Sequence, residues 1–234
     1  MAPSPVRLDV LYEDNHLLVV NKPAGIPTQG ASPETASLVT LAREYLKLKY
    51  HKPGNVYVGV VSRIDAPVSG AIVLARTSKA ARRLNEQFRA RTVVKRYWAL
   101  VEGEPSPPSG ECIDWVRRDP RQHRAQVASP AAADAQEARL SYRRLKAFSG
   151  ISLVEVELHT GRRHQIRIQL AHRGWPIVGD RRYGSRRPFG EGIALHARSL
   201  EFVHPTRGGS LSFVAPLPHA WTALGVRESH GGSS

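Results

Sequence analysis

Short apolar runs broken by turn residues dominate this chain, some continuous and some alternating with period two, and few follow helical spacing. Residues 9 to 21, DVLYEDNHLLVVN, read as a strand, an acidic turn and a second strand leading into KPAG. GVVSRI and GAIVLAR read as two strands flanking Arg63 and Asp65, and Ala-Pro-Val-Ser-Gly turns the chain between them without a helix. VVKRYWALVEG is a strand by its β-branched and aromatic content. Alternation puts Lys95, Tyr97 and Ala99 on one face and Arg96, Trp98 and Leu100 on the other. ISLVEVELH alternates cleanly, and ALHARSLEFVH and SLSFVAP close the chain as strands. Helical spacing is confined to three places. From about 35 to 50, Leu38, Leu41, Tyr45 and Leu48 form an apolar stripe. TSKAARRLNEQFRAR, capped by Thr77 or Ser78, turns Ala81, Leu84 and Phe88 inward and shows Arg82, Arg83 and Arg89 on its other side. A short helix follows the turn in TGRRHQIRIQLAHRG. RRDPRQHRAQ and SPAAADAQEA read as loops, the first a basic arm suited to phosphates, and the tail ESHGGSS as disordered. Strands outnumber helices and neighbours lie close in sequence, which predicts an α+β fold, a mixed, largely antiparallel sheet with helices packed against it.

Composition changes this picture mainly through charge. At 234 residues, 41% of them apolar, the chain suits one large domain or two small ones. Its 34 Lys and Arg against 20 acidic residues give a net charge of +14. A field of that sign attracts polyanions and binds them in a salt-dependent way, so nucleic acid is the leading partner class, with anionic membrane surface behind it. No apolar run approaches the roughly 20 residues that span a bilayer, and MAPSPVRLDV lacks the pattern of a secretory signal. Cys112, the only cysteine, leaves neither a disulfide framework nor a thiolate zinc site. These features together predict a soluble cytoplasmic protein.

Asp65 by itself is weak evidence of chemistry, because an Asp between a strand and a proline is ordinarily a turn former. Arg63 stands two positions back, where it could hold that carboxylate ionised. The histidines give no metal-ligand spacing: His164 and His172 are eight apart, and His159, His196 and His204 add no pattern. No phosphate-binding glycine loop is present. TGRRHQIRIQL is more specific. A Gly turn with two arginines opens a helix carrying His164, Gln165 and Arg167, an arrangement suited to phosphates and, at Arg167, to a carboxylate from elsewhere. A basic surface helix would read the same way. PIVGDRRYGS, with strand-like Ile177 and Val178 before a Gly-Asp turn, is structural when taken alone.

Taken in order, these strings resemble the RluA-type family of RNA pseudouridine synthases. Its ED-x-x-LLVVNKPAG opening corresponds to Glu13 to Gly25, and its HRLD-x-x-x-SG to Arg63 to Gly70. K-x-Y-x-A-x-V-x-G corresponds to Lys95 to Gly103, TGR-x-HQIR to Thr160 to Arg167, and P-I-x-GD-x-x-YG to Pro176 to Gly184. The resemblance runs from about residue 8 to 222. It implies a single catalytic domain over 9–224, between a short lead (1–8) and a polar tail (225–234). It also implies a long mixed, mostly antiparallel sheet with an active-site cleft across its middle. The implied activity is isomerisation of uridine to pseudouridine within ribosomal or transfer RNA, without cofactor or metal, by a monomer with no obligate protein partner. Asp65 matches the catalytic aspartate, Tyr97 the active-site tyrosine and Arg167 the basic partner of that aspartate. Arg63 matches an arginine that helps hold the place of the extruded base, and Lys95, Arg162, Arg163, His164 and Gln165 fall in motifs that meet the RNA. Two positions depart from the pattern: Ser62 stands where the family has histidine, and Val68 where threonine is common.

The implied chemistry suits these residue types. A carboxylate can attack the anomeric carbon as a nucleophile, or remove a proton from the neighbouring ribose carbon to give a glycal. An adjacent arginine cation favours the charged carboxylate in a dry pocket. Tyr97 offers a flat ring against uracil and a hydroxyl near the ring carbon that loses its proton. With no S4-like domain ahead of residue 8, target choice is expected to come from the domain's own surface. Ser62 and the high charge also fit a second reading, a non-catalytic RNA-binding protein on the same scaffold. A third, a basic membrane-surface protein, is disfavoured because no amphipathic helix stands out.

Overall fold

The computed structural model describes residues 8–30, 36–119 and 124–226. The acidic turn makes the first hairpin: the Asp14 carboxylate accepts the N–H groups of His16 (2.7 Å) and Leu17 (2.8 Å) and so folds β1 (Asp9–Glu13) back on β2 (Leu17–Lys22). Helix α1 (Leu38–Lys49) follows, then β3 (Gly59–Val60), β4 (Ser69–Ala75), α2 (Ser78–Ala90) and β5 (Val94–Glu102). The chain continues through β6 (Ser109–Asp119), β7 (Arg124–Ala128), β8 (Gln136–Phe148), β9 (Ile151–Leu158) and α3 (Gln165–His172). A single 3₁₀ turn at Arg181–Tyr183 precedes β10 (Leu195–Val203), β11 (Ser210–Val214) and α4 (His219–Thr222). The strands are hydrogen-bonded in the order β1-β2-β4-β10-β5-β9-β8-β6-β7, with β11 on β10 and β3 on β4. This is the mixed, mostly antiparallel sheet with flanking helices that the apolar pattern predicts. The chain divides into two compact units, Met1–Arg96 with Ala197–Ala215, and Tyr97–His196 with Pro216–Ser234.

In the first unit, β2 and β4 are buried on both faces, which is why LLVV and GAIVLA read as continuous apolar runs. Leu17, Val19, Ala71 and Val73 meet Ala80, Ala81 and Leu84 of α2, with Phe88 packed against them, as the helical spacing predicts. Thr77 caps α2 by accepting the Ala80 N–H. Of the expected basic face, Arg82 pairs with Glu86 one turn on, and Arg83 donates to the Pro205 carbonyl. The stripe expected on α1 is rotated. Leu38, Val39, Ala42 and Leu46 are buried, whereas Leu48 is 73% exposed. Period counting could not separate two overlapping apolar sets on one short helix. The strand expected at GVVSRI is also shorter, since only Gly59 and Val60 join the ladder. Val61 and Ile64 are apolar because they face the core without pairing.

The second unit corrects the loop reading of RRDPRQHRAQ. Its described ends are strand: Arg117 pairs with Gln126, Arg118 with Ala125 and Asp119 with Arg124, making a β6–β7 hairpin. Neighbouring pairs, Val116 with Val127 and Trp115 with Ala128, set the register into which the charged residues fall. SPAAADAQEA is loop only as far as Ala135, because Gln136 already begins β8. Helix α3 lies against this sheet through Ile168, which clusters with Val116, Ala125 and Ala138. Gln169 donates to the carbonyls of Cys112 and Ala138, and Arg173 pairs with Asp114 at 2.7 Å. The disordered tail expected at the C-terminus lies outside the described residues.

Acid sensitivity follows from the first hairpin. The buried Glu13 carboxylate accepts from Tyr45, Lys49, Tyr50 and Arg76, and Asp14 accepts additionally from Tyr12 and His204. Burial alone would raise both carboxyls. The donors outweigh it, holding Glu13 below its usual range and Asp14 at about 2. A folded pKa below the unfolded one contributes stability that is complete above the unfolded value, near 4, and is lost as pH falls through about 2. Between those limits the wild type is expected to lose about 2 kcal/mol more than Asp14→Asn. Urea unfolding at pH 4 and pH 2 measures this, and equal losses in the two proteins would contradict it.

Candidate active site

Asp65 sits half-buried on a loop whose flanks are tied down in the first unit. On one side, the Thr28 hydroxyl donates to the Ile64 carbonyl at 2.8 Å and accepts the Ile64 N–H at 3.0 Å. On the other, the Ala66 carbonyl accepts the Gly25 N–H at 2.8 Å and the Lys22 ammonium at 3.3 Å. A turn closes behind the carboxylate when the Val68 N–H reaches the Asp65 carbonyl at 3.0 Å. The chain then enters β4 through Gly70, at φ +120, where a Cβ would lie 2.3 Å from the Ala197 carbonyl oxygen. Only glycine allows β10 to pass that closely. The KPAG segment is therefore the bracket for the Asp65 loop.

Lys22 is the unexpected member of this bracket. It is wholly buried, and its ammonium donates to the carbonyls of Pro23 (2.8 Å) and Ile26 (2.9 Å) as well as Ala66. Burial pushes its pKa down to about 8, against the upward pull of the Asp65 carboxylate. Near neutral pH Lys22 therefore keeps its proton, and a buried cation stands close enough to Asp65 to feel its carboxylate. Arg63 is exposed, Ser62 is half-buried in the lead-in, and Val68 is buried at the turn. On β5, Lys95 and Tyr97 are both half-buried and two residues apart, hence on one strand face. Burial lowers the affinity of Lys95 for its proton, and Arg91 lowers it further.

The second unit holds the TGRRHQIR residues on one turn and the helix it opens. Thr160 accepts the Arg139 N–H at 2.8 Å and donates to Gln165 Oε1 at 2.7 Å. Gln165 Oε1 also accepts the Arg162 N–H at 3.0 Å, and its Nε2 donates to the Arg139 carbonyl at 3.1 Å. These bonds lock the turn to β8. His164 adopts φ +54 at the start of α3, which carries the chain from turn to helix. Arg163 is exposed and Arg162 half-exposed, whereas His164 and Gln165 are buried. Arg167 is buried, and its Nε and Nη2 reach the two Asp180 oxygens at 2.7 and 2.9 Å. Its guanidinium also lies over the Tyr183 ring, 5.1 Å from the centroid.

Lys22, Thr28, Asp180 and Tyr183 are the functional candidates that sequence reasoning missed. The signals were present as a lysine closing the buried run LLVVN and as the Asp and Tyr of GDRRYG. Neither string reveals a partner, because Asp180 lies 13 residues from Arg167 and Lys22 44 residues from Ala66. Among the described residues no group of three or more His, Cys, Asp or Glu gathers to hold a metal, and no helix is long and apolar enough to cross a membrane. Cys112 is buried, and burial pushes its thiol up to about 11.

Comparison with known proteins gives one consistent likeness. Residues 16–172 match a family model described as RNA pseudouridylate synthase. An uncharacterised RNA pseudouridine synthase of Chloroflexus aurantiacus is 43% identical over 203 residues, covering 85% of this chain and 62% of that protein. The ribosomal large subunit pseudouridine synthase D of Xanthomonas campestris pv. campestris is 38% identical over 236 residues, covering 93% of this chain and 68% of that protein. Among solved structures, human RNA Pseudouridylate Synthase Domain Containing 4 superposes with a TM-score of 0.76 at 25% identity, covering 92% of this chain and 90% of the human one.

Proposed function

The chain belongs to the RluA-type family of RNA pseudouridylate synthases, and from that premise we propose that it isomerises uridine to pseudouridine in ribosomal or transfer RNA with Asp65 as its catalytic carboxylate. The observation that carries the assignment is the bracketed loop. Asp65 is half-buried on a loop whose backbone on either side is fixed by Thr28, Gly25 and the buried Lys22 ammonium. Fixed geometry is what a nucleophile or base requires before substrate arrives, and a turn former needs no such bracket.

The reaction breaks the bond between uracil N1 and the anomeric carbon and joins ring carbon 5 to that carbon. Carbon 5 gives up its proton and N1 gains one. Asp65 serves either as the nucleophile at the anomeric carbon or as the base at the adjacent ribose carbon. Tyr97 supplies the ring against uracil and Arg167 a positive charge, the roles that the family resemblance assigns to those positions. Arg63 and Lys95, with the half-exposed Arg162 and exposed Arg163 and with His164 and Gln165, meet the RNA in this proposal. Extruding a paired uridine costs a few kcal/mol, so loops and bulges are the favoured targets. The enzyme works in the cytoplasm, as a monomer and without a cofactor.

Pseudouridine mapping of total RNA from cells with and without the gene tests the assignment. The deletion is expected to erase one or a few pseudouridines in ribosomal or transfer RNA, restored by the wild-type gene. An unchanged map at every site would overturn it.

A further inference from the structure

The β6–β7 hairpin ends the sheet, because β7 is its last strand. Ala125 stands opposite Arg118 in that hairpin. Its N–H and C=O both turn away from β6, toward the edge where no further strand pairs among the described residues. Ala125 is nevertheless buried. The Tyr183 hydroxyl occupies the place of the missing strand: it accepts the Ala125 N–H at 3.1 Å and lies 3.3 Å from the Ala125 carbonyl as a donor. His164 Nδ1 stands 2.8 Å from the same oxygen. A hydroxyl has one proton to give and two lone pairs to receive. All three contacts are satisfied together when Nδ1 carries the proton, so that Tyr183 receives from Ala125 and His164 and gives to the Ala125 carbonyl. Below the hydroxyl, the Tyr183 ring packs against the cluster of Val116, Ala125 and Ile168 and lies under the Arg167 guanidinium.

One side chain therefore touches the edge strand, the turn that opens α3, and Arg167. We propose that Tyr183 is a positioning residue that fixes the β6–β7 hairpin relative to the start of α3, so that Arg118, on the hairpin face that carries Val116 and Ala125, and Arg163 on the turn engage one stretch of RNA backbone together. Arg118 and Arg163 are both exposed. The inference rests on the RNA-modifying reading above. The hydroxyl and the ring have separable duties: the hydroxyl sets the hairpin and hence RNA engagement, whereas the ring supports Arg167.

Two variants separate these duties. In Tyr183→Phe the ring remains and the tie is lost. Hydrogen exchange of the Ala125 amide is expected to accelerate at least tenfold, while amides inside the β6–β8 ladder stay protected. With a large-subunit ribosomal RNA transcript as substrate, KM is expected to rise about tenfold and kcat to stay within about twofold. In Tyr183→Leu both duties are lost, so kcat falls at least tenfold as well. A merely structural tyrosine would give parallel changes in the two variants without a split between KM and kcat. Unchanged Ala125 exchange in Tyr183→Phe, or faster exchange with unchanged KM, would overturn the proposal. If the wild-type enzyme left that transcript unmodified, the choice of RNA would be wrong. Ala125 exchange would then still decide the tie, and affinity for the transcript by filter binding would take the place of KM.

Discussion

Purified Asp65→Asn is expected to form no detectable pseudouridine, a loss on the order of 10⁴-fold or more in kcat, while remaining folded and able to bind RNA. The substitution keeps the size and shape of the side chain at a half-buried position, so the loop that holds it need not move. The Thr28, Gly25 and Lys22 bonds all go to backbone carbonyls or N–H groups of neighbouring residues, and none uses the Asp65 side chain. Because asparagine is isosteric and retains an acceptor oxygen, stability is expected to change by about 1 kcal/mol or less. The largest structural consequence falls on Lys22. Without the carboxylate, its upward pull on the Lys22 pKa disappears, and the buried ammonium releases its proton more readily. Pseudouridine formation on a ribosomal RNA transcript, thermal unfolding and filter binding to the same transcript measure the three quantities. Substantial activity in a correctly folded Asp65→Asn protein would refute the catalytic role. Loss of folding instead would return Asp65 to the status of a turn former.

Most of the fold was legible because its determinants are local. Both faces of β2 and β4 are written in unbroken apolar runs, Thr77 marks the start of α2, and Asp14 marks the first hairpin. What escaped was set by partners distant in sequence. Arg117, Arg118 and Arg124 have the composition of a loop and become strand because the flanking Val116–Val127 pair fixes their register. Leu48 has the spacing of a core residue and is exposed, because Val39, Ala42 and Leu46 turn the helix by about one residue's angle. The site divides in the same way. Asp65 and Arg167 are candidates that motifs single out. Lys22, buried under carbonyls of residues 23, 26 and 66, looks in sequence like an ordinary surface lysine at a strand end.

Asp180→Leu is expected to destabilise the protein by about 3–5 kcal/mol. Arg167 and Asp180 form a two-pronged pair in which the side chains are 6% and 2% exposed. Their desolvation has already been met by mutual attraction and good geometry. Removing the carboxylate leaves the guanidinium in the interior without the partner of its Nε and Nη2, and the Tyr183 ring cannot replace two charge-assisted bonds. For a chain of this size the loss corresponds to a fall in Tm of roughly 10 °C. Arg167→Met combined with Asp180→Leu removes both charges and fills the space with apolar atoms. That double variant is expected to recover at least half of the lost stability, because a buried ion pair replaced as a unit is often neutral. It should nevertheless stay inactive, since the proposed mechanism uses the Arg167 charge. Urea unfolding and pseudouridine formation on the two variants separate the effects. A double variant no more stable than Asp180→Leu would show that the pair is not the source of the loss, and a stable, active double variant would remove Arg167 from the mechanism.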